Sequence, residues 1–202
     1  MNDLQRLQNL TVPTGCVDCV LDTDTYNEID DQYALSLMMK SEKCHVRAIY
    51  AAPFFNNNST SPEDGMERSY DEILNLLTLM GREADKQNVY RGSRTYLPDE
   101  KTPVESPAAC HLADLAMAYT MEHPLYVVAI GAITNVASAL LKSRRSRSGS
   151  CWSGLADTTS TGAIRANSTW CRISRRQESC SAAAVLWCSF RAWVWYRRSI
   201  PR

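Results

Sequence analysis

"CVLDTDTYNEIDDQYALSLMM", residues Cys19 to Met39, carries Asp22, Asp24, Glu28, Asp30 and Asp31 within ten positions, between one apolar run that enters and another that leaves. The entering run, "CVDCVLD" (16–22), is short and β-branched and ends at the acids, which predicts a buried strand. From Asp30 onward, Ala34, Leu35, Leu37, Met38 and Met39 fall on a broad helical face. Acids in the first turn of that helix suit its dipole. Like charges at this density repel, and burying an ionised carboxylate costs on the order of several kcal/mol unless something pairs with it. The stretch is therefore either a solvated loop or the place of a cation.

The same grammar continues outward. "CHVRAIYAAP" (44–53) predicts a second strand, closed by Pro53 and by the loop "FFNNNSTSPEDG" (54–65). "MERSYDEILNLLTLMG" (66–81) is an amphipathic helix presenting Tyr70, Ile73, Leu74, Leu77 and Met80, stopped by Gly81. "NVYRG" is a brief strand and "SRTYLPDEKTPVES" a loop. A third helix over 106–123 starts at a Ser106 cap, "PLYVVAIG" (124–131) is the fourth strand, and "TNVASALLKS" opens a fourth helix. Strands alternating with helices imply an α/β fold, a doubly wound and mostly parallel sheet with flanking helices and a Rossmann-like core. In such sheets ligands gather beyond the carboxyl ends of the strands. Three loops meet that condition: the acid cluster, the Asn-rich loop after the second strand, and "GAITN" (131–135).

The formal charge of zero over 202 residues hides an asymmetry. Through Lys142 the chain holds 11 basic and 20 acidic residues; the remainder holds 11 basic and 2 acidic ones, together with all five tryptophans. A basic piece of this kind suggests nucleic acid or a membrane surface. Its cations are all arginine, however, and it is heavy in Trp and Cys, unlike a nucleic-acid tail built with lysine and glycine. No apolar signal core opens the chain and no run of about 18 apolar residues follows, so the expectation is a cytoplasmic protein without nucleic-acid or membrane partners. Cys16 and Cys19 have the spacing of a redox or zinc motif. A second CxxC is missing and Cys19 falls inside an apolar strand, which favours single buried thiols.

"DTDTYNEIDD" followed by "AIGAITNVASAL" resembles the inosine–uridine-preferring nucleoside hydrolase family. The first segment is similar to that family's N-terminal aspartate motif, with two extra residues between Asp24 and the Asp30–Asp31 pair; the second is similar to its Gly-x-x-Thr-Asn motif, here Gly131 to Asn135. The match extends over about residues 15 to 142 and implies the N-terminal part of a nucleoside hydrolase-like domain, truncated there. The resemblance implies a bound calcium ion ligated by Asp24, Asp31 and the backbone carbonyl of Thr134. It makes Asp24 the catalytic base, with Asp30 and Asn56 binding the ribose of a ribonucleoside. The insertion leaves Asp22 open as the alternative to Asp24, and Asn57 or Asn58 as the alternative to Asn56. The implied reaction is hydrolysis of the N-glycosidic bond to free base and ribose, and the full-length relatives are expected to be homo-oligomers.

After Lys142 neither helical nor strand periodicity persists, and the expectation is an aberrant, poorly ordered tail over 143–202. Shifted by one base, Trp170–Cys171 must read valine, Asp157–Thr158 reads His or Tyr, and the whole can give "GGH…W…EFN-x-V", similar to the family's substrate segment. A frame slip near Ser143 accounts for the late tryptophans, and it predicts impaired catalysis. Plainer roles stand beside these: Asp22 as a cap of the strand-end turn, Glu28 as a solvated acid, Asn56–Asn58 as a polar turn, and Thr134 as a helix N-cap. His45, His111 and His123 match no motif. "VLDTDT" is also similar to the start of haloacid-dehalogenase-like phosphatases, with Asp22 as nucleophile, Asp24 as general acid and magnesium as the ion; that family does not predict Asp30–Asp31 or "GAITN". The third alternative is a non-catalytic fragment.

Overall fold

A computed structural model describes residues 13, 15–99, 101–120 and 123–146. The expectations for the tail beyond 146 lie outside the described residues. Four strands, β1 (Val17–Thr23), β2 (Cys44–Ala51), β3 (Val89–Tyr90) and β4 (Tyr126–Ala129), form one sheet in the order β3-β2-β1-β4. Every pairing is parallel. Helices α1 (Ile29–Lys40), α2 (Pro62–Leu79), α3 (Pro107–Leu115) and α4 (Thr134–Ser146) flank it.

Parallel strands are buried on both faces, so central strands read as continuous apolar runs. β1 fits that rule from Cys19 onward. Val20, Tyr50, Leu112, Val127 and Val136 fill one side of the sheet. Leu21, Leu35, Ile49, Ile73 and Leu77 fill the other. The chain builds β1, β2 and β3 in one direction and then returns to place β4 on the opposite side of β1. The point where strand order reverses lies between β1 and β4, and in open α/β sheets the crevice forms there. Thr23 and Ala129 are the strand ends that border it.

Local chemistry moves two of the expected boundaries. α2 starts at Pro62 rather than Met66, because Ser61 accepts from the Asp64 N–H at 3.1 Å and Pro62 takes the first helical position, where its missing N–H costs nothing. Gly81 ends the helix as its sequence predicts, at φ 69°. α3 begins at the Ser106 cap, which accepts from Ala109 N–H at 3.1 Å, but it stops at Leu115 and not near 123. A single 3₁₀ turn (Ala116–Ala118) follows, and the Tyr119 hydroxyl donates to Asp18 at 2.7 Å, pulling the chain toward the start of β1. On α1, Ala34, Leu35 and Met39 are buried while Leu37 is 55% exposed. Leu37 shares a stripe with Ile29 and Tyr33, four residues apart, facing away from the sheet. Cys19 is buried and Cys16 exposed, both as free thiols. Among the described residues, no helix is long and apolar enough to cross a membrane.

Candidate functional site at the β1–β4 crevice

The last residues of β1 carry the acids into the crevice. Asp22 lies within the strand and is wholly enclosed. It does not cap the strand-end turn. Its Oδ1 accepts from Asn135 Nδ2 at 2.8 Å, while its Oδ2 has no hydrogen-bond partner among the described residues. Burial pushes this carboxyl up to about 7, against the Asn135 hydrogen bond, with a further rise from the charge of Asp24.

Two residues on, Asp24 is buried just past the strand end, and its Oδ2 accepts from Asn27 Nδ2 at 2.8 Å. The backbone repeats the link, Asn27 N–H donating to Asp24 O at 2.7 Å. Asn27 Oδ1 in turn accepts from Asn56 Nδ2, and its backbone oxygen accepts from Asn58 Nδ2 at 3.2 Å. The loop after β1 and the Asn-rich loop after β2 are thereby laced together, with Asn27 between Asp24 and Asn56. Asn56 Oδ1 also accepts from the Asn58 N–H at 2.8 Å, an Asx turn, so it is both a turn residue and a site residue.

Asp31 reaches the same region from the first turn of α1. It is buried and accepts from Thr23 Oγ1 at 2.7 Å; Thr23 and Thr25 hydroxyls lie 3.0 Å apart. Asp30, its neighbour in that turn, is half-buried. From the other side, the loop after β4 closes on Asp24: a Cβ at Gly131 would stand 2.8 Å from Asp24 Oδ1 and 3.0 Å from its backbone nitrogen. Thr134 is buried as the first residue of α4, and its N–H donates to Ala132 O at 2.8 Å.

Asp24 thus lies against Gly131 of the β4 loop, and Asp31 is held to Thr23 at the end of β1. Every candidate donor is a hard oxygen, the chemistry that suits calcium or magnesium. Their number is small: among the described residues, no three His, Cys, Asp or Glu side chains form a group that could hold a metal ion. Two carboxylates and a carbonyl fall short of the roughly six to eight oxygens calcium takes, so water and sugar hydroxyls would have to supply the rest. Among the described residues the Asp22 Oδ2 has no hydrogen-bond partner, and burial favours the neutral form of that carboxyl.

Asn27, Ser93, Asn135 and Tyr96 are site residues that the sequence reading passes over. Asn27 lies between Asp24 and the Asp30–Asp31 pair, and Asn135 closes the "GAITN" motif. Tyr96 stands at the rim, and burial, with the charge of Asp24, holds its hydroxyl above the usual range. No protein-family model matches this chain, and no curated protein matches it.

Proposed function

We propose that this chain is the ribose-binding part of a calcium-dependent nucleoside N-ribohydrolase of the inosine–uridine-preferring kind. The observation that carries the reading is the relay Asn56–Asn27–Asp24 beyond the ends of β1 and β2, with Gly131 of the β4 loop against Asp24. It joins two amides and one carboxylate, hydrogen-bonding groups that suit a diol, with a charge that a cation would offset. Asp24, Asp31 and the Thr134 carbonyl would hold calcium, which when bound offsets the carboxylates, grips the 2′ and 3′ hydroxyls and acidifies a water.

The protein's own residues then divide the work. Asp30 accepts hydrogen bonds from the ribose hydroxyls, and Asn56 orients the sugar or the attacking water. Asp24 takes the proton of that water as its oxygen bonds to C1′. The C1′–N bond breaks with its electron pair going to the base, and the surrounding carboxylates stabilise the oxocarbenium-like charge that develops. A cytoplasmic compartment and a homo-oligomeric full-length form accompany this reading. Turnover by this chain is expected to be impaired, because on the frame-slip reading the family segments downstream of Lys142 are lost.

Asp22 argues against the phosphatase alternative. A carboxylate that is wholly enclosed and held by Asn135 presents no oxygen to a phosphoryl group. Calorimetric titration of the 202-residue chain with calcium, then ribose, tests the proposal, alongside assays for reducing sugar from nucleosides and for phosphate from phosphomonoesters. Calcium uptake followed by ribose binding is expected. Absence of both, or release of phosphate, overturns it.

A further inference from the structure

We propose that Asn135 is the positioning residue of this crevice, locking the loop after β4 to the end of β1 so that Gly131 stays beside Asp24. Its side chain is fully buried and uses every hydrogen-bonding valence an amide has. Nδ2 donates to Asp22 Oδ1 at 2.8 Å and to Ala51 O at 3.1 Å. Oδ1 accepts from Ser93 N–H at 2.7 Å and from Ser93 Oγ at 2.9 Å. One side chain therefore joins α4 to the ends of β1 and β2 and to the segment after β3.

The packing around it leaves no slack. A Cβ on Gly92 would overlap the Ala51 carbonyl oxygen at 1.9 Å and stand 2.6 Å from Asn135 Nδ2. Beside this lock, Ile130 N–H donates to Asp22 O at 2.8 Å, so whatever holds Asp22 also sets the first residue of the β4 loop. Side chains of other types fail here for definite reasons. Leucine would leave Asp22 Oδ1, Ser93 N–H and the Ser93 hydroxyl unmatched in a buried place, and glutamine is longer by a methylene. Aspartate has the right shape with the wrong polarity, setting an oxygen against the acceptors of Asp22 and Ala51. The polarity of the amide, and not its bulk, makes the lock.

The geometric lock stands on its own; its consequence for cation capture rests on the function proposed above. The test uses the 202-residue chain as wild type, N135D and the exchange D22N/N135D, which reverses donor and acceptor across the 22–135 pair and keeps the number of carboxylates. Amide hydrogen exchange is read at Ser93 and Ile130, with Ile73 and Leu77 of α2 as references. N135D is expected to speed exchange about tenfold or more at Ser93 and Ile130 and to leave the references unchanged. The double variant is expected to recover Ile130.

Uniform acceleration at all four amides, no acceleration at Ser93 and Ile130, or no recovery in the double variant overturns the proposal. Should N135D fail to fold, refolding by the double variant supports it and failure of both overturns it. Calcium titration forms a separate arm. If the wild type binds calcium, N135D must bind at least about tenfold more weakly, and equal affinity overturns the positioning role. If the wild type binds none, the function reading fails and the exchange pattern alone decides Asn135.

Discussion

Asp18 and Asp22 lie on the same strand and, an even number of residues apart, on the same face of the sheet, yet they are treated in opposite ways. At the amino end, each oxygen of Asp18 has its own partner: His45 Nδ1 at 2.8 Å from one and the Tyr119 hydroxyl at 2.7 Å from the other. About a third of that side chain, 32%, remains in contact with solvent. At the carboxyl end, Asp22 is enclosed, one oxygen is bonded and the other has no partner among the described residues. A carboxylate serving stability alone would look like Asp18. Burying Asp22 disfavours its ionised form and costs stability, and departures of this kind from local rules concentrate at functional places.

The steepest contrast between the two ends comes from glycine. Gly92→Ala drives a methyl group into the Ala51 carbonyl and the Asn135 amide, where both neighbours are held in place. The expected loss is about 3 kcal/mol or more in urea denaturation, a large part of the stability of an ordinary domain. Gly15→Ala, at the amino end, meets nothing within 4 Å and is expected to change stability by less than about 0.5 kcal/mol. Equal effects at the two positions would remove the distinction between a tight polar crevice and a loose opposite end.

Thr23→Val comes next. The change keeps the shape and removes the hydroxyl that donates to Asp31 at 2.7 Å and meets Thr25 at 3.0 Å. Losing a donor to a buried carboxylate is expected to cost about 2 kcal/mol by the same denaturation measurement. On the proposed function, calcium is expected to return part of it, because an ion held by Asp31 would replace the lost partner. A neutral effect with and without calcium would mean that Asp31 is already solvated.

What could be read before folding follows the same division. "CVDCVLD" and "PLYVVAIG" are legible as strands because a parallel strand is apolar on both faces, and Ser106 is legible as a cap because capping acts within three residues. The acids at the strand end are legible because their density is itself anomalous. The role of Asn27 is not, since it depends on which loops face one another once β1 and β2 pair. Ser61 hid within a run of turn residues that looked like uninterrupted loop, although it caps α2 by a local bond. The end of α3 had no breaker to announce it. Nothing near Leu115 forbids a helix, and the contact that redirects the chain joins Tyr119 to Asp18 across the whole domain. Asn135 was visible as part of a motif, but its four bonds reach residues far away in sequence.

His111 probes the ground between the two ends. It packs on the same face, accepts from or donates to the Tyr50 hydroxyl through Nδ1 at 3.0 Å, and stacks on Tyr90 with ring centroids 4.0 Å apart. Burial lowers its basicity, against a smaller raising effect of Asp114. In the unfolded chain an imidazole takes up a proton near its ordinary value of about 6.5, whereas folded His111 does so only at lower pH. Its contribution to stability is therefore complete above that value and is lost as pH falls below it. His111→Phe keeps the stacking and is expected to flatten this acid-side loss in melting experiments. The Asp22 carboxyl, raised by burial, contributes a slope of opposite sign below about 7. That slope is common to both proteins and cancels in the difference.

The smallest effect is expected at the better-satisfied acid. Tyr119→Phe removes the 2.7 Å hydrogen bond to Asp18 Oδ2 and leaves the His45 contact on Oδ1 intact. Because that carboxylate already touches solvent, water can take the place of the lost hydroxyl, and a partly exposed interaction of this kind contributes about 0.5 kcal/mol. The same bond also turns the chain out of α3, so the variant separates energetics from routing. If Tyr119 redirects the chain only by its hydrogen bond, hydrogen exchange over 116–119 should slow as the helix extends past Leu115. If ring packing against the core suffices, exchange there stays as in the wild type. A loss near that of Thr23→Val would place Asp18 among the enclosed acids after all, and the two ends of β1 would then be alike.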